Sequence, residues 1–177
     1  TITALEECLA LFREVGDQWM VAHSLWRLGF SRLWRRGDCR TSAALLRESR
    51  DLWSDLREWI GVSHTLMDLG WAEYLEGNVA ESRAVFEQML AMARDRHDRW
   101  GLPAALHQLG KLCQLEGELE QSEIYLREVL QLNSGDWIVA RHTPWVLQTL
   151  GMLDIARGRA DRAREWLWEA VEGFRKR

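Results

Sequence analysis

Residues 59–78 read WIGVSHTLMDLGWAEYLEGN, and three imperfect copies of this stretch recur along the 177-residue chain at intervals of about forty residues. The Leu-Gly pair inside it stands at Leu28-Gly29, Leu69-Gly70, Leu109-Gly110 and Leu150-Gly151, stepping by 41, 40 and 41. A closing glycine follows at Gly37, Gly77, Gly117 and Gly158, stepping by 40, 40 and 41. Apolar residues inside each copy recur at helical spacing, and the closing glycine marks a helix stop before a new start. A period in this range belongs to stacked helical units that bury their cores only against their neighbours.

The segments between copies carry a second helix. Counted five residues from the closing glycine they hold Ser42, Ser82, Ser122 and Ala163, all small. Nine residues on stand Leu46, Phe86, Leu126 and Leu167, and twelve on stand Ser49, Met89, Val129 and Ala170. A small residue lets two helix axes approach, and the large apolar residue one turn later fills the gap to the next repeat. The unit is therefore a helical hairpin.

Taken in order, residues 1–16 form a half repeat with Leu5, Cys8, Leu9 and Phe12 inward, and full repeats follow at 17–57, 58–97, 98–135 and 136–177. Asp17 caps the first long helix. The returns are expected to bury Ala44, Leu45, Leu46, Leu52 and Trp53 in the first repeat, and Ala84, Val85, Phe86, Met89, Leu90 and Ala93 in the second. Trp19, Trp59, Trp100 and Trp137 open the first helices and are expected to seal the junctions between repeats as wedges. In the last repeat Trp137 precedes Gly151 by fourteen residues, against ten or eleven elsewhere, and Pro144 lies between. A bend there, or a helix restarted on a Thr143 cap, is expected.

Composition excludes several classes. A formal charge of −4 argues against a general nucleic-acid binder relying on phosphate neutralisation. No apolar run approaches the roughly 18 residues that span a bilayer, and TITALEECLALF lacks a signal peptide's basic start, so a cytoplasmic, non-membrane protein is expected. Cys8, Cys39 and Cys113 are odd in number and far apart, reading as small buried apolar residues rather than disulfide or zinc ligands. No Ser-His-Asp or Cys-His constellation is recoverable, so catalysis, cofactor and metal are not expected. The Arg32, Arg35, Arg36, Arg40 cluster could meet an acidic partner, or simply be solvated. The chain opens in what reads as a second helix and stops as another ends, the expectation for a piece of a longer protein.

On the Leu-Gly pair, the closing glycine followed by Asp or a similar residue, and the small and large residues beyond it, the chain resembles a tetratricopeptide repeat array over essentially its whole length. The resemblance implies an all-α right-handed superhelix (α-solenoid) of antiparallel helix pairs, here with repeats of about 40 residues. Phrases such as LFREVGDQW, RRGD and LEGN are similar to the sensor arrays of STAND-type signal-transduction ATPases and large LuxR-like bacterial regulators. That likeness implies a sensor that relieves inhibition of an upstream nucleotide-binding module. No Gly-x-x-x-x-Gly-Lys-Ser/Thr loop occurs here, so ATP binding would lie elsewhere.

In such arrays the first helices line a ligand groove. The groove residues implied are His23, Trp26, Phe30 and Trp34, then His64, Met67, Trp71 and Tyr74, then His107, Lys111 and Gln114, then Trp145, Gln148 and Met152. The aromatic ones could instead pack between first helices as core. His23 and His64 occupy equivalent positions; as a metal or proton pair they lack a third ligand at suitable spacing. Lys and Asn are absent where chaperone adaptors grip a peptide carboxylate: Trp26, Phe30, Met67 and Trp71 stand there. The expected function is a non-catalytic sensor binding a small-molecule or peptide effector in the aromatic groove, or a scaffold binding a partner protein.

Overall fold

The structure, a computed structural model, describes residues 2–132 and 137–176. The expected boundary between the third and fourth repeats, at 135 and 136, lies outside the described residues. Among them the chain forms nine α-helices and no strand: α1 (Ile2–Val15), α2 (Gln18–Arg36), α3 (Cys39–Asp55), α4 (Trp59–Glu76), α5 (Val79–Asp95), α6 (Gly101–Leu115), α7 (Leu119–Gln131), α8 (Trp137–Ala156) and α9 (Ala160–Arg175). They cluster into two compact units, Thr1–Met89 and Leu90–Arg177, with the boundary inside α5.

Local chemistry sets the helix ends. Asp17 Oδ1 accepts from the Met20 N–H at 3.0 Å to open α2, and Asp38 Oδ1 accepts from the Thr41 N–H at 3.2 Å to open α3. At Gly37 and Gly77 the backbone is left-handed, with φ of +67° and +93°, which a side chain would strain. The chain there turns back within two residues.

In the first unit, Ser42 Oγ donates to the Gly29 carbonyl and Ser49 Oγ to the Ala22 carbonyl, each at 2.8 Å. One partner advances along α3 as the other retreats along α2, so the hairpin is antiparallel. The next junction follows the same logic: Ser49 and Thr65 hydroxyls lie 3.4 Å apart, and the Trp53 ring sits where a Gly61 side chain would be. The second unit repeats the hairpin, with Ser122 Oγ donating to the Gly110 carbonyl at 2.7 Å.

The Leu-Gly glycine has one physical reason throughout. A Cβ on Gly29 would lie 2.8 Å from Leu46 Cγ, on Gly110 2.8 Å from Leu126 Cγ, and on Gly151 2.6 Å from Leu167 Cγ. On Gly70 it would run into the Phe86 ring. The large residue nine past the closing glycine thus packs onto the glycine of its own hairpin, where the sequence reading aimed it at the next repeat.

Ser82 differs from Ser42 and Ser122. Its Oγ is buried with no hydrogen-bond partner among the described residues. Ser42→Ala and Ser122→Ala are each expected to destabilise by about 1 kcal/mol, and Ser82→Ala to be neutral or stabilising, because only the first two lose a bond. Urea unfolding of the three variants checks this; equal losses at all three would refute it.

Several expectations are corrected. Ala43, not the expected Ala44, is buried in α3, and Ala84 is exposed in α5, since each expected alanine lies one position off the inward face. Cys8 is exposed and Cys39 half-buried, leaving Cys113 as the buried thiol. Trp19 and Trp137 are 45% and 66% exposed and Trp59 and Trp100 half-buried, so none of the four is a buried wedge; in the first unit that place is taken by Trp53 of the return helix, 3% exposed, with Trp19 edge-on to it at 5.2 Å. Pro144 does not restart a helix, since α8 runs through it. Thr143 Oγ1 bonds back to the Val139 carbonyl at 3.0 Å instead of capping, and the proline ring packs against Gly173.

Two buried carboxylates that the sequence reading passed over hold helices together. Glu73 (2% exposed) accepts from Arg47 of α3 and from Asn78 Nδ2 at 2.9 Å. Asp154 (1% exposed) accepts from Trp166 Nε1 at 3.0 Å and pairs with Arg162 Nε at 3.1 Å.

Candidate functional site

First helices meet side by side within each unit, and one contact recurs. In the first unit Trp26 Nε1 donates to Asp68 Oδ2 at 2.9 Å; in the second His107 Nε2 lies 3.0 Å from Thr149 Oγ1. Both pairs join a residue two before the Leu of one Leu-Gly to the residue just before the next. That second position is Arg27, Asp68, Gln108 and Thr149 in the four copies, polar each time. This regularity is the signal that could have revealed Asp68 and Thr149, which the sequence reading omitted.

In the first unit Asp68 also accepts from Trp34 Nε1 at 3.2 Å. Burial raises the Asp68 pKa, against the opposing pull of the two indole hydrogen bonds. Trp19 stacks on His23 at 5.5 Å, His23 meets Trp26 edge-on at 5.7 Å, and Trp26 lies 5.4 Å from the His64 ring. These rings, with Trp53, Glu58, Ile60 and Gly61, line a cleft of about 330 Å³. His23 is pushed below its usual pKa by burial and by the Arg27 charge. Of the other expected residues, Phe30, Met67 and Tyr74 are half-buried, and Trp71 is only 7% exposed, edge-on to Phe86 at 5.4 Å. Trp71 is core, because the Phe86 ring reaches it where the equivalent return residues are leucines.

In the second unit α6 and α8 enclose a larger cleft, about 720 Å³, lined by His107, Lys111, Gln114, Leu115, Trp145, Gln148, Thr149, Met152, Ile155 and Ala156. All six residues expected from the third and fourth repeats are therefore brought together. Trp145 is 48% exposed and meets the Phe174 ring edge-on at 4.7 Å. Lys111 is half-buried, and desolvation lowers its pKa. His107 is 7% exposed, with its pKa lowered to about 3 by burial first and by the Lys111 and His142 charges next. The Thr149 hydroxyl lies within hydrogen-bond distance of both the Trp145 carbonyl and His107 Nε2, each at 3.0 Å. A pKa this low keeps the imidazole neutral near pH 7.

Among the described residues no group of three or more His, Cys, Asp or Glu could hold a metal ion, and no helix is long and apolar enough to cross a membrane.

The class follows from comparison with known proteins. A family model for the tetratricopeptide repeat matches residues 103–136, which take in most of α6 and all of α7. A solved structure of the Rap conjugation gene regulator of the plasmid pLS20, in complex with the Phr* peptide, superposes with a TM-score of 0.73 at 21% identity. The match covers 88% of this chain and 42% of that one. No curated protein matches the sequence. The fold is accordingly a tetratricopeptide-like helical solenoid.

Proposed function

We propose that this chain is a non-catalytic, cytoplasmic effector-binding module of a bacterial signalling or transcription-regulatory protein, and that its effector is a short linear peptide held between α6 and α8. The α6–α8 cleft carries the reading. Its volume is of the size that takes a ligand. Gln114 and Gln148 each bear both an amide donor and an acceptor, which is what an extended peptide backbone presents in return. Leu115, Trp145, Met152 and Ile155 offer apolar area for side chains, and Lys111 offers a cation for a carboxylate. The Rap regulator, of like fold, was solved with a peptide bound. The resemblance to signal-transduction ATPases supports a nucleotide-binding module as the reader of occupancy, elsewhere in the same protein.

Selecting a random linear-peptide display library on the chain tests this. Enriched peptides are expected to bind the parent and to weaken by about ten-fold or more on Trp145→Ala or Gln148→Ala. Trp145 and Gln148 are both exposed, so neither variant should disturb the fold. Failure to enrich any peptide, or equal binding by Trp145→Ala, would reject the assignment.

A further inference from the structure

The aromatic cleft of the first unit differs in chemistry from the α6–α8 cleft and stands independently of the peptide reading. Three observations restrict what it can hold. Ring faces and edges dominate it: Trp19, stacked on His23 and edge-on to Trp53 at 5.2 Å, is still 45% exposed. The indole N–H of Trp26 is committed to Asp68, and that of Trp53, though without a partner among the described residues, is buried, so neither ring presents an exposed donor to a carbonyl or an anion. The one formally charged side chain in the lining is the exposed carboxylate of Glu58.

Aromatic faces carry the negative end of the ring quadrupole, and a carboxylate at the rim adds to the same sign. An anion is repelled by both. A neutral molecule of the same shape gains the apolar contact but neither electrostatic attraction. A small inorganic cation would have to shed strongly held water to reach the rings. We propose that this cleft binds an organic ammonium cation, seated against Trp19 and Trp26 with Glu58 as its counter-charge. The protein already places one cation near this cluster: the Arg27 guanidinium carbon lies 5.8 Å from the Trp26 ring centroid. The ammonium group can come from a free small amine or from a lysine side chain, and the two share the chemistry that the cleft reads.

The chain labelled with ¹⁵N-tryptophan, its Trp19 and Trp26 indole signals assigned by Trp→Phe variants, is titrated with choline, its neutral isostere 3,3-dimethylbutan-1-ol, acetyl-Gly-Lys-Gly-amide and sodium chloride. Saturable shifts at these two indoles are expected with choline, the lysyl peptide or both, and binding about ten-fold weaker with the isostere. Saturation by choline alone assigns a free amine, and by the peptide alone a protein lysine. Glu58→Gln is expected to weaken the cation several-fold and Trp19→Ala to abolish its binding; both residues are exposed, so thermal unfolding should barely move. Trp145→Ala should leave all four titrations unchanged, which separates this site from the α6–α8 cleft. Isostere binding equal to choline, no saturable shift with either cation, or an unaffected Glu58→Gln would each overturn the proposal.

Discussion

Leu69→Ala is expected to lower the unfolding free energy by about 2–5 kcal/mol, the range for deleting a fully buried leucine and leaving a cavity. Leu69 is 1% exposed, and its equivalents Leu28, Leu109 and Leu150 are 4%, 0% and 2% exposed. Collapse of the site is restricted on one side by Gly70, whose backbone is already pressed against the Phe86 ring. The transfer term alone for a leucine of this burial is about 2 kcal/mol, and the unfilled volume adds to it. Leu75, on the same helix and 54% exposed, provides the control: Leu75→Ala should change stability by less than about 0.5 kcal/mol. Urea denaturation of both variants reads the difference, and comparable losses would mean that α4 is rotated from the position described.

The second large effect is an acid sensitivity lodged in the second unit. His107 has its pKa lowered to about 3, against an ordinary value of 6.5. Between those values the unfolded chain binds the proton and the folded chain does not, so stability present above pH 6.5 is lost as pH falls toward 3. At pH 4 the loss from this residue is about 3 kcal/mol, at 1.36 kcal/mol for each unit below 6.5. His107→Gln keeps a side-chain hydrogen-bonding group for Thr149 but does not titrate. The parent should therefore lose about 3 kcal/mol more than His107→Gln between pH 7 and pH 4. Identical pH slopes for the two proteins would show that His107 reaches water in the folded state. Glu123, whose pKa is lowered to about 2 chiefly by the Arg157 hydrogen bond, adds its own loss as pH falls below 4.5, equally in both proteins.

The hairpins and their antiparallel register were legible as regularities about forty residues apart, whereas the large residue of each return helix was expected against the next repeat and packs instead on the glycine of its own hairpin. Gly29, Gly70, Gly110 and Gly151 face Leu46, Phe86, Leu126 and Leu167 because a hairpin that repeats must repeat its closest approach. The α6–α8 cleft was legible for the same reason, its six expected residues falling on one stripe of two adjacent first helices. Trp71, Asp68 and His107 were harder. Phe30, Trp71, Lys111 and Met152 follow the four Leu-Gly pairs at one shared position, yet the structure makes Trp71 core, leaves Phe30 and Lys111 half-buried, and exposes Met152 at 52%.

The sequence by itself determined that the chain is a tandem of helical hairpins, where each turns and which face of each helix packs, because periodicity and turn chemistry are local properties. Only the tertiary structure decided which residues of that face are spent on a neighbour and which remain for a ligand. Trp26 yields its indole N–H to an aspartate 42 residues away, and His107 bonds a threonine at the same separation. Those outcomes depend on the size and polarity of a side chain on the next first helix, which no pattern within one helix records.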